Sequence, residues 1–407
     1  MADSVERHPE QTSGASGAGA SLAPQPPSVA ALFLAFLRLG CVSFGGPGMV
    51  AYIKRLAVAR KRWLREDDFQ QGVALCQAVP GATAMQCAAY VGLRARGLGG
   101  AVAAYLGFGL PAFLLMLVLS IAYQRAVGIH AVTSALIGLR ALVVALVANG
   151  AWTFARSSVG RPRDAVMAAA TGALFLIGGS PFLIVIGAGL AGALVLRSDA
   201  GTAHPEPGPR LGWRAWRAPA AVLAVAVVLV AVLLAADPRL ATLGLVMMKV
   251  DAFAFGGGFA SVPLMYHEVV EARGWLPAAV FLDGIALGQV TPGPIVITAT
   301  FVGQQVAGTA GALVGTVCIF LPSLFVLVLA GPFFRRLRSS PIFAGVTHAL
   351  VLSFVGLLAS VTIHFAGATP WSLPSAAIAM LGLVALLLQV DVVWVVLAGG
   401  LVSAMAL

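Results

Sequence analysis

The sequence predicts an all-α, polytopic membrane protein made of two inverted homologous repeats with discontinuous, re-entrant helices. Composition places it in a membrane: 60% of its 407 residues are hydrophobic and only 10% are charged, against about a quarter charged in a soluble domain. Mean hydropathy is +0.96, and apolar runs of 17 or more residues recur along most of the chain, the mark of transmembrane segments. An internal duplication supplies the repeats, and matched glycine and proline breaks inside apolar segments supply the discontinuities.

Charge placement favours topology over a nucleic-acid surface. The formal net charge is +10, yet the basic residues sit mainly in short loops between apolar runs. Cys41, Cys76, Cys87 and Cys318 contain no C-x-x-C pair and lie in apolar context, so they read as small core-filling side chains. Residues 1–28 are rich in Ala, Ser, Pro and Gly without an apolar centre. They are expected to form a disordered cytoplasmic tail rather than a cleaved signal peptide.

The duplication is read from spacing. Phe44-Gly45-Gly46 recurs as Phe255-Gly256-Gly257, 211 positions later. Trp63-Leu64, Phe69, Gly72, Gln77, Pro80 and Gly81 match Trp275-Leu276, Phe281, Gly284, Gln289, Pro292 and Gly293 at an offset of 212. Leu110-Pro111 then matches Leu321-Pro322. The expected organisation is a tail over 1–28, a first repeat over 29–197, a hydrophilic linker over 198–216, and a linking helix plus second repeat over 217–407.

Each half opens with two segments broken in the middle. In the first half they span about 29–60, broken at Gly45-Gly46-Pro47-Gly48, and 68–95, broken at Pro80-Gly81. In the second they span about 239–272, broken at Gly256-Gly257-Gly258, and 277–305, broken at Thr291-Pro292-Gly293-Pro294. Such Gly and Pro density ends a helix, and broken backbone at membrane depth survives only against protein or a water-filled cavity. If all four are hairpins, with plain helices near 98–125, 130–156, 164–179, 181–197, 217–236, 308–334, 342–365, 373–388 and 390–406, the arginines segregate. One face collects Lys54, Arg55, Arg60, Lys61, Arg62, Arg65, Arg94, Arg96 and the later arginine clusters, while the other keeps little beyond Arg125, Arg239 and Arg273. That asymmetry obeys the positive-inside rule. Five crossings separate the hairpin pairs, so the repeats are inverted, a recurring transporter design.

Candidate binding residues follow from the breaks. Arg38 and Lys249 lie six residues before Phe44 and Phe255, and an intramembrane cation costs about 2.5–3.5 kcal/mol, which marks it as functional unless it snorkels to the interface. Beyond each break a new helix N-terminus offers free N–H groups to an anion. Pro47 and Pro292 suit a first helical position and Thr291 an N-cap. The expected substrate shell is therefore Arg38, Phe44, Gly45, Gly46, Pro47, Gln77, Pro80, Gly81 and Gln86, with Lys249, Phe255, Gly256, Gly257, Gly258, Gln289, Thr291, Pro292, Gly293, Pro294 and Thr298. Gln77, Gln86, Gln289, Thr298 and Thr300 serve equally well as bonds between helices. Arg140 stands alone in a plain helix, with Val351 at the matching place. Asp251 is the candidate proton carrier, with an ion pair to a nearby base as its alternative. His267-Glu268 lacks the second histidine of a zinc motif, position 271 being Glu, and neither a metal, a cofactor nor an enzyme is expected.

At these motifs the sequence resembles the chromate ion transporter family in its long, two-domain form. The resemblance is carried by Phe255-Gly256-Gly257-Gly258, Gly274-Trp275-Leu276, and the run Phe281-Leu-Asp-Gly-Ile-Ala-Leu-Gly-Gln-Val-Thr-Pro-Gly-Pro294. Thr298-Ala-Thr-Phe-Val-Gly303, Phe320-Leu-Pro-Ser323 and the first-half matches extend it over about residues 30–405. The first half departs from the family pattern at Pro80-Gly81-Ala82, Met85-Gln86 and Gly48-Met49-Val50. The resemblance implies efflux of chromate across a bacterial inner membrane, giving resistance; membrane potential or proton motive force is the expected drive, because a dianion leaves a negative interior downhill and the sequence holds no G-x-x-x-x-G-K-[ST] loop. Expected partners are the oxyanion and the lipid bilayer, not nucleic acid, with a homodimer as an open alternative to a monomer. A sulfate or other oxyanion transporter is the nearest rival; a membrane-embedded enzyme acting on a lipid phosphate is the rival of another class.

Overall fold

A computed structural model describes residues 27–44, 48–195, 216–334, 337 and 339–406. Residues 1–26, 45–47, 196–215 and 407 lie outside these, with the expected tail and linker, as do the arginines at 335, 336 and 338. Among the described residues every regular element is helical. The first repeat comprises α1 (Val29–Gly40), α2 (Gly48–Lys54, continued as a π-helix over Arg55–Arg60), α3 (Glu66–Ala78), α4 (Thr83–Ala126), α5 (His130–Ser158), α6 (Pro162–Leu176) and α7 (Pro181–Val195). After α8 (Arg217–Ala236), the second comprises α9 (Pro238–Ala252), α10 (Ser261–Tyr266, continued as a π-helix over His267–Ala272), α11 (Ala278–Val290), α12 (Thr298–Ala330), α13 (Pro341–Ala368), α14 (Leu373–Leu387) and α15 (Val392–Ala406). Starts are chemically marked: Ser28, Asp237 and Ser340 cap α1, α9 and α13, and proline follows the cap in the latter two.

Contacts across each break show that the chain turns back. Lys249 Nζ lies 2.7 Å from Glu268 Oε1, though a straight helix would hold those residues about 28 Å apart. The Phe36 and Trp63 rings approach to 6.4 Å, where a straight helix would separate them by about 40 Å. A Cβ on Gly72 would strike the Tyr90 ring, and one on Gly284 the Phe301 ring, so α3 and α11 each run antiparallel to the limb that follows. The expected hairpins are the observed form. A second reversal follows each pair, at Arg96-Gly97 in α4 and Ala307-Gly308 in α12. There Gly92 meets Gly100, Gly303 meets Gly311, and the Thr300 and Thr316 hydroxyls lie 2.7 Å apart.

The same contacts fix the inversion. From Gly97 the long limb of α4 runs about 40 Å to Gln124, whose amide reaches the Gln304 carbonyl and Gln305 Oε1 at the base of the second-repeat hairpin. The hairpin bases of the two repeats therefore sit on opposite faces. The halves also exchange partners: α5 packs against α14 and α15, while α13 packs against α6 and α7. Among the described residues five helices are long and apolar enough to cross a membrane, including α5, α8 and α13. Exposed Val225, Val227, Val228 and Val232 on α8, and Leu190 and Leu194 on α7, give the outer wall an apolar, lipid-matched surface. Helices α6, α7, α14 and α15 are 15 residues each, shorter than the usual span of about 20.

Inversion makes a direct prediction. In a background without native cysteines, Arg62→Cys and Arg273→Cys should react with a membrane-impermeant maleimide from opposite sides. Labelling from one side only would exclude the inverted arrangement.

Candidate functional site at the hairpin tips

Four chain breaks converge in the interior and bond across the repeats. Gly81 N–H donates to the Ala254 carbonyl at 2.9 Å, and its counterpart Gly293 N–H donates to the Ser43 carbonyl at 2.9 Å. Both glycines hold nearly the same left-handed backbone, φ 118° and 114°, which an L side chain disfavours. The residues that follow the prolines inside the long limbs face these tips. A Cβ on Gly293 would lie 2.8 Å from Ala112 Cβ, next to Pro111, and one on Gly81 would lie 2.1 Å from Ser323 Oγ, next to Pro322. Pro80 and residues 291–294 are buried.

This geometry corrects several expectations about the shell. The N–H groups of Gly81 and Gly293 are committed to the opposite repeat and are not free for an anion. Gln86 directs its amide N–H groups to the Pro80 carbonyl (2.6 Å) and the Ser323 carbonyl (3.3 Å), so it braces the tip. Thr291 closes the end of α11 by donating to the Gly288 carbonyl at 2.8 Å and is not an N-cap. Pro292 lies within the break, because the next helical turn starts only at Ile295, after Gly293 has turned toward Ser43. Pro294 precedes that turn, and Thr298 donates to the Ile295 carbonyl at 2.8 Å.

The two matched cations have different surroundings. Lys249 is paired with buried Glu268, which also binds Arg273, and its ammonium lies 3.7 Å from the Phe182 ring centroid. Its charge is therefore compensated, contrary to a free oxyanion ligand. Position 56, which matches Glu268, is Leu. Arg38 accordingly has no ion-pair partner among the described residues and lies on the exposed stripe of α1 with Leu34. Packing of α1 on α4 and of α9 on α12 keeps the two cations on separate elements. Gly45, Gly46 and Pro47 lie outside the described residues. Phe44 and Phe255 are half-buried, as are Gly256 and Gly258, whereas Gly257 is buried. No described backbone acceptor takes the N–H of Gly256 or Gly257. Gln77 is exposed, while Gln289 is half-buried, its Nε2 without a partner among the described residues.

Two interior carboxylates complete the site. Asp251 is 1% exposed and accepts from the backbone N–H of Ser323 at 2.7 Å and from its hydroxyl, so no base pairs with it. Its first-repeat counterpart is Gly40, where a Cβ would lie 2.5 Å from the Phe108 carbonyl oxygen. Asp283 forms a bidentate pair with Arg140, Nε–Oδ1 2.6 Å and Nη2–Oδ2 2.7 Å, and accepts from Tyr123 Oη at 2.8 Å. That clasp joins α11 of the second repeat to α5 and α4 of the first. Arg140 is solitary in the sequence pattern, and the signal for its partner is a second unrepeated charge, since Gln71 and Val351 stand where Asp283 and Arg140 have their counterparts.

Breaking a buried ion pair by removing one partner costs about 3–5 kcal/mol. Arg140→Met and Asp283→Leu should each lower the thermal midpoint of the purified protein sharply, whereas the double substitution should recover much of the loss. Additive losses in a double-mutant cycle would show that the two side chains do not act as a pair.

Comparison with known proteins agrees with the two-fold build. An uncharacterised transporter of Methanocaldococcus jannaschii is 41% identical over 91% of this chain and 92% of its own length. The chromate transport protein of Cupriavidus metallidurans is 32% identical over 90% of this chain and 93% of its own. That of Pseudomonas aeruginosa is 33% identical over 90% and 88%. No solved structure matches the chain. The model of the chromate transporter family matches twice, over residues 30–193 and 241–404. One copy falls on each set of crossed hairpins, and the chain belongs to this family of transporters rather than to a family of enzymes.

Proposed function

We propose that the protein exports chromate, or a tetrahedral dianion of like shape, by alternating access around the four tips. The observation that carries this reading is unequal docking of equivalent hairpins. Helix α11 is largely buried and packs on α5. Its counterpart α3 makes no comparable packing with α13 and leaves Gln70, Gln71 and Gln77 exposed. Inverted copies in unequal positions are what an alternating-access cycle requires, because exchanging the two positions opens the opposite face.

In this reading Arg38 and the Gly256-Gly257 backbone receive the oxyanion, and Lys249 holds the hairpin through Glu268. Potential favours export: moving two negative charges outward from a negative interior releases about 4.6 kcal/mol per 100 mV. Asp251 couples a proton. Its Oδ1 has no partner among the described residues, and its other oxygen holds Ser323, which abuts Gly81 at the crossed tips. Protonation there would loosen the Ser323 contact and, through it, the tip. The basic face, the base of the first-repeat hairpins, is taken as cytoplasmic.

Labelled chromate accumulation in energised cells is the test. Wild-type cells should accumulate least, and Arg38→Ala should restore accumulation toward that of cells without the protein. Equal accumulation in all strains, with the protein present in the membrane, would reject chromate and leave sulfate as the next substrate to try. For the proton, Asp251→Asn in vesicles should abolish the dependence of uptake on a pH gradient while potential-driven uptake persists. A preserved gradient response would remove Asp251 from coupling.

A further inference from the structure

A cavity of about 430 Å³ lies at the base of the first-repeat hairpins, lined by Val58, Arg62, Trp63, Leu64, Arg65, Asp68 and Arg94. Three arginines against one aspartate leave it two net positive charges. Their local partners are weak: Arg94 lies 3.4 Å from Asp68, and Arg65 lies 3.8 Å from Asp67 with both side chains at least 80% exposed. Arg62 has no partner among the described residues. Nearby Lys54 is paired with Glu66 and adds little free charge.

The second repeat shows what the fold alone requires at this place. It keeps the apolar frame, with Val270, Trp275 and Leu276 matching Val58, Trp63 and Leu64. Every charge is gone: Gly274, Pro277, Val280 and Gln305 stand where Arg62, Arg65, Asp68 and Arg94 do. Backbone geometry makes the contrast sharper. Gly274 has φ 59°, and Arg62 holds the same left-handed turn at φ 52°, a conformation that suits glycine and disfavours a long L side chain. The positive-inside rule accounts for basic residues on this face in general. It requires neither their convergence on one cavity nor an arginine at the strained position.

We infer that this cavity is an antechamber that gathers a tetrahedral dianion from the basic face before it reaches the tips. The inference rests on the transport reading above. A basic recess concentrates anions and speeds their capture by about tenfold or more, and it weakens as salt screens it. It lies beside α3, the helix that is not docked on α13.

The test is chromate uptake into inverted membrane vesicles by the wild type, Arg62→Gly, Arg94→Gln and the double variant. Each substitution installs the residue that the second repeat carries in the same fold position. The double variant should raise KM about tenfold with kcat within about twofold, and the salt dependence of kcat/KM should flatten. An unchanged KM, or a fall in kcat alone, would overturn the antechamber and leave the transport reading intact. Absence of uptake by the wild type would overturn both. A lipid phosphate shares the oxyanion's chemistry, so the measurement is repeated in proteoliposomes of phosphatidylcholine with and without phosphatidylglycerol. A KM difference confined to the anionic vesicles would make the recess a headgroup site and overturn the antechamber.

Discussion

A chain broken four times inside a membrane leaves peptide groups that lipid cannot satisfy, each worth several kcal/mol if unpaired. The crossed hydrogen bonds from Gly81 to Ala254 and from Gly293 to Ser43 answer that constraint by letting each repeat complete the other. Neither half can satisfy both of its breaks alone, which explains why the duplicated unit occurs as an intertwined pair. The exchange of partners by α5 and α13 follows from the same need, since crossed tips require a frame that brings opposite hairpin bases to opposite faces. Glycine is needed at both donors because the turn that aims the N–H outward lies at positive φ.

Duplication sets the shape, and unrepeated charges break its symmetry. Arg140 with Asp283, Asp251 with Ser323, Glu268 between Lys249 and Arg273, and the basic recess at Arg62 each depend on a charge found in one half only. Small adjustments of packing decide where such charges fit. Gly40 sits directly against the Phe108 carbonyl, whereas at the matching place the second repeat accommodates Asp251 against the N–H next to Pro322. A proline stands at the matching place in both halves, Pro111 and Pro322, so the difference lies in the next residue: Ser323 gives the carboxylate a hydroxyl as well as its N–H, where the first repeat has Ala112.

The architecture was legible in the sequence because it is written twice. Paired spacings such as Phe44/Phe255 and Trp63/Trp275 locate the repeats, and arginine counts orient the hairpins, all from local identity. The site was legible only in outline. That Gly81 and Gly293 lie at tips follows from their neighbours; that their N–H groups are already bonded depends on residues about 170–250 positions away. The pairing of Lys249 with Glu268 is not legible in the sequence, because 19 positions separate them and their proximity exists only once the hairpin closes. Arg140 and Asp283 illustrate a rule for duplicated chains: a charge missing from the other copy should be matched first with another unrepeated charge of opposite sign.

Those one-sided charges also select a conformation. Two inverted copies with identical energetics would populate the two docked arrangements equally, and a difference of only a few kcal/mol suffices to favour one strongly. The Arg140–Asp283 clasp, strengthened by Tyr123, holds α11 against α5, while α3 carries Gln71 at the matching position and has no clasp to α13. Bidentate charge-assisted bonds are about twice as strong as neutral ones, so in the proposed cycle the second-repeat hairpin is the one that stays docked while the first lifts. The side left open is that of Arg62, Arg65 and Arg94, where the recess is positive. In the proposed cycle substrate capture and resting conformation have a common origin, because the residues that break the two-fold symmetry close one face and charge the other.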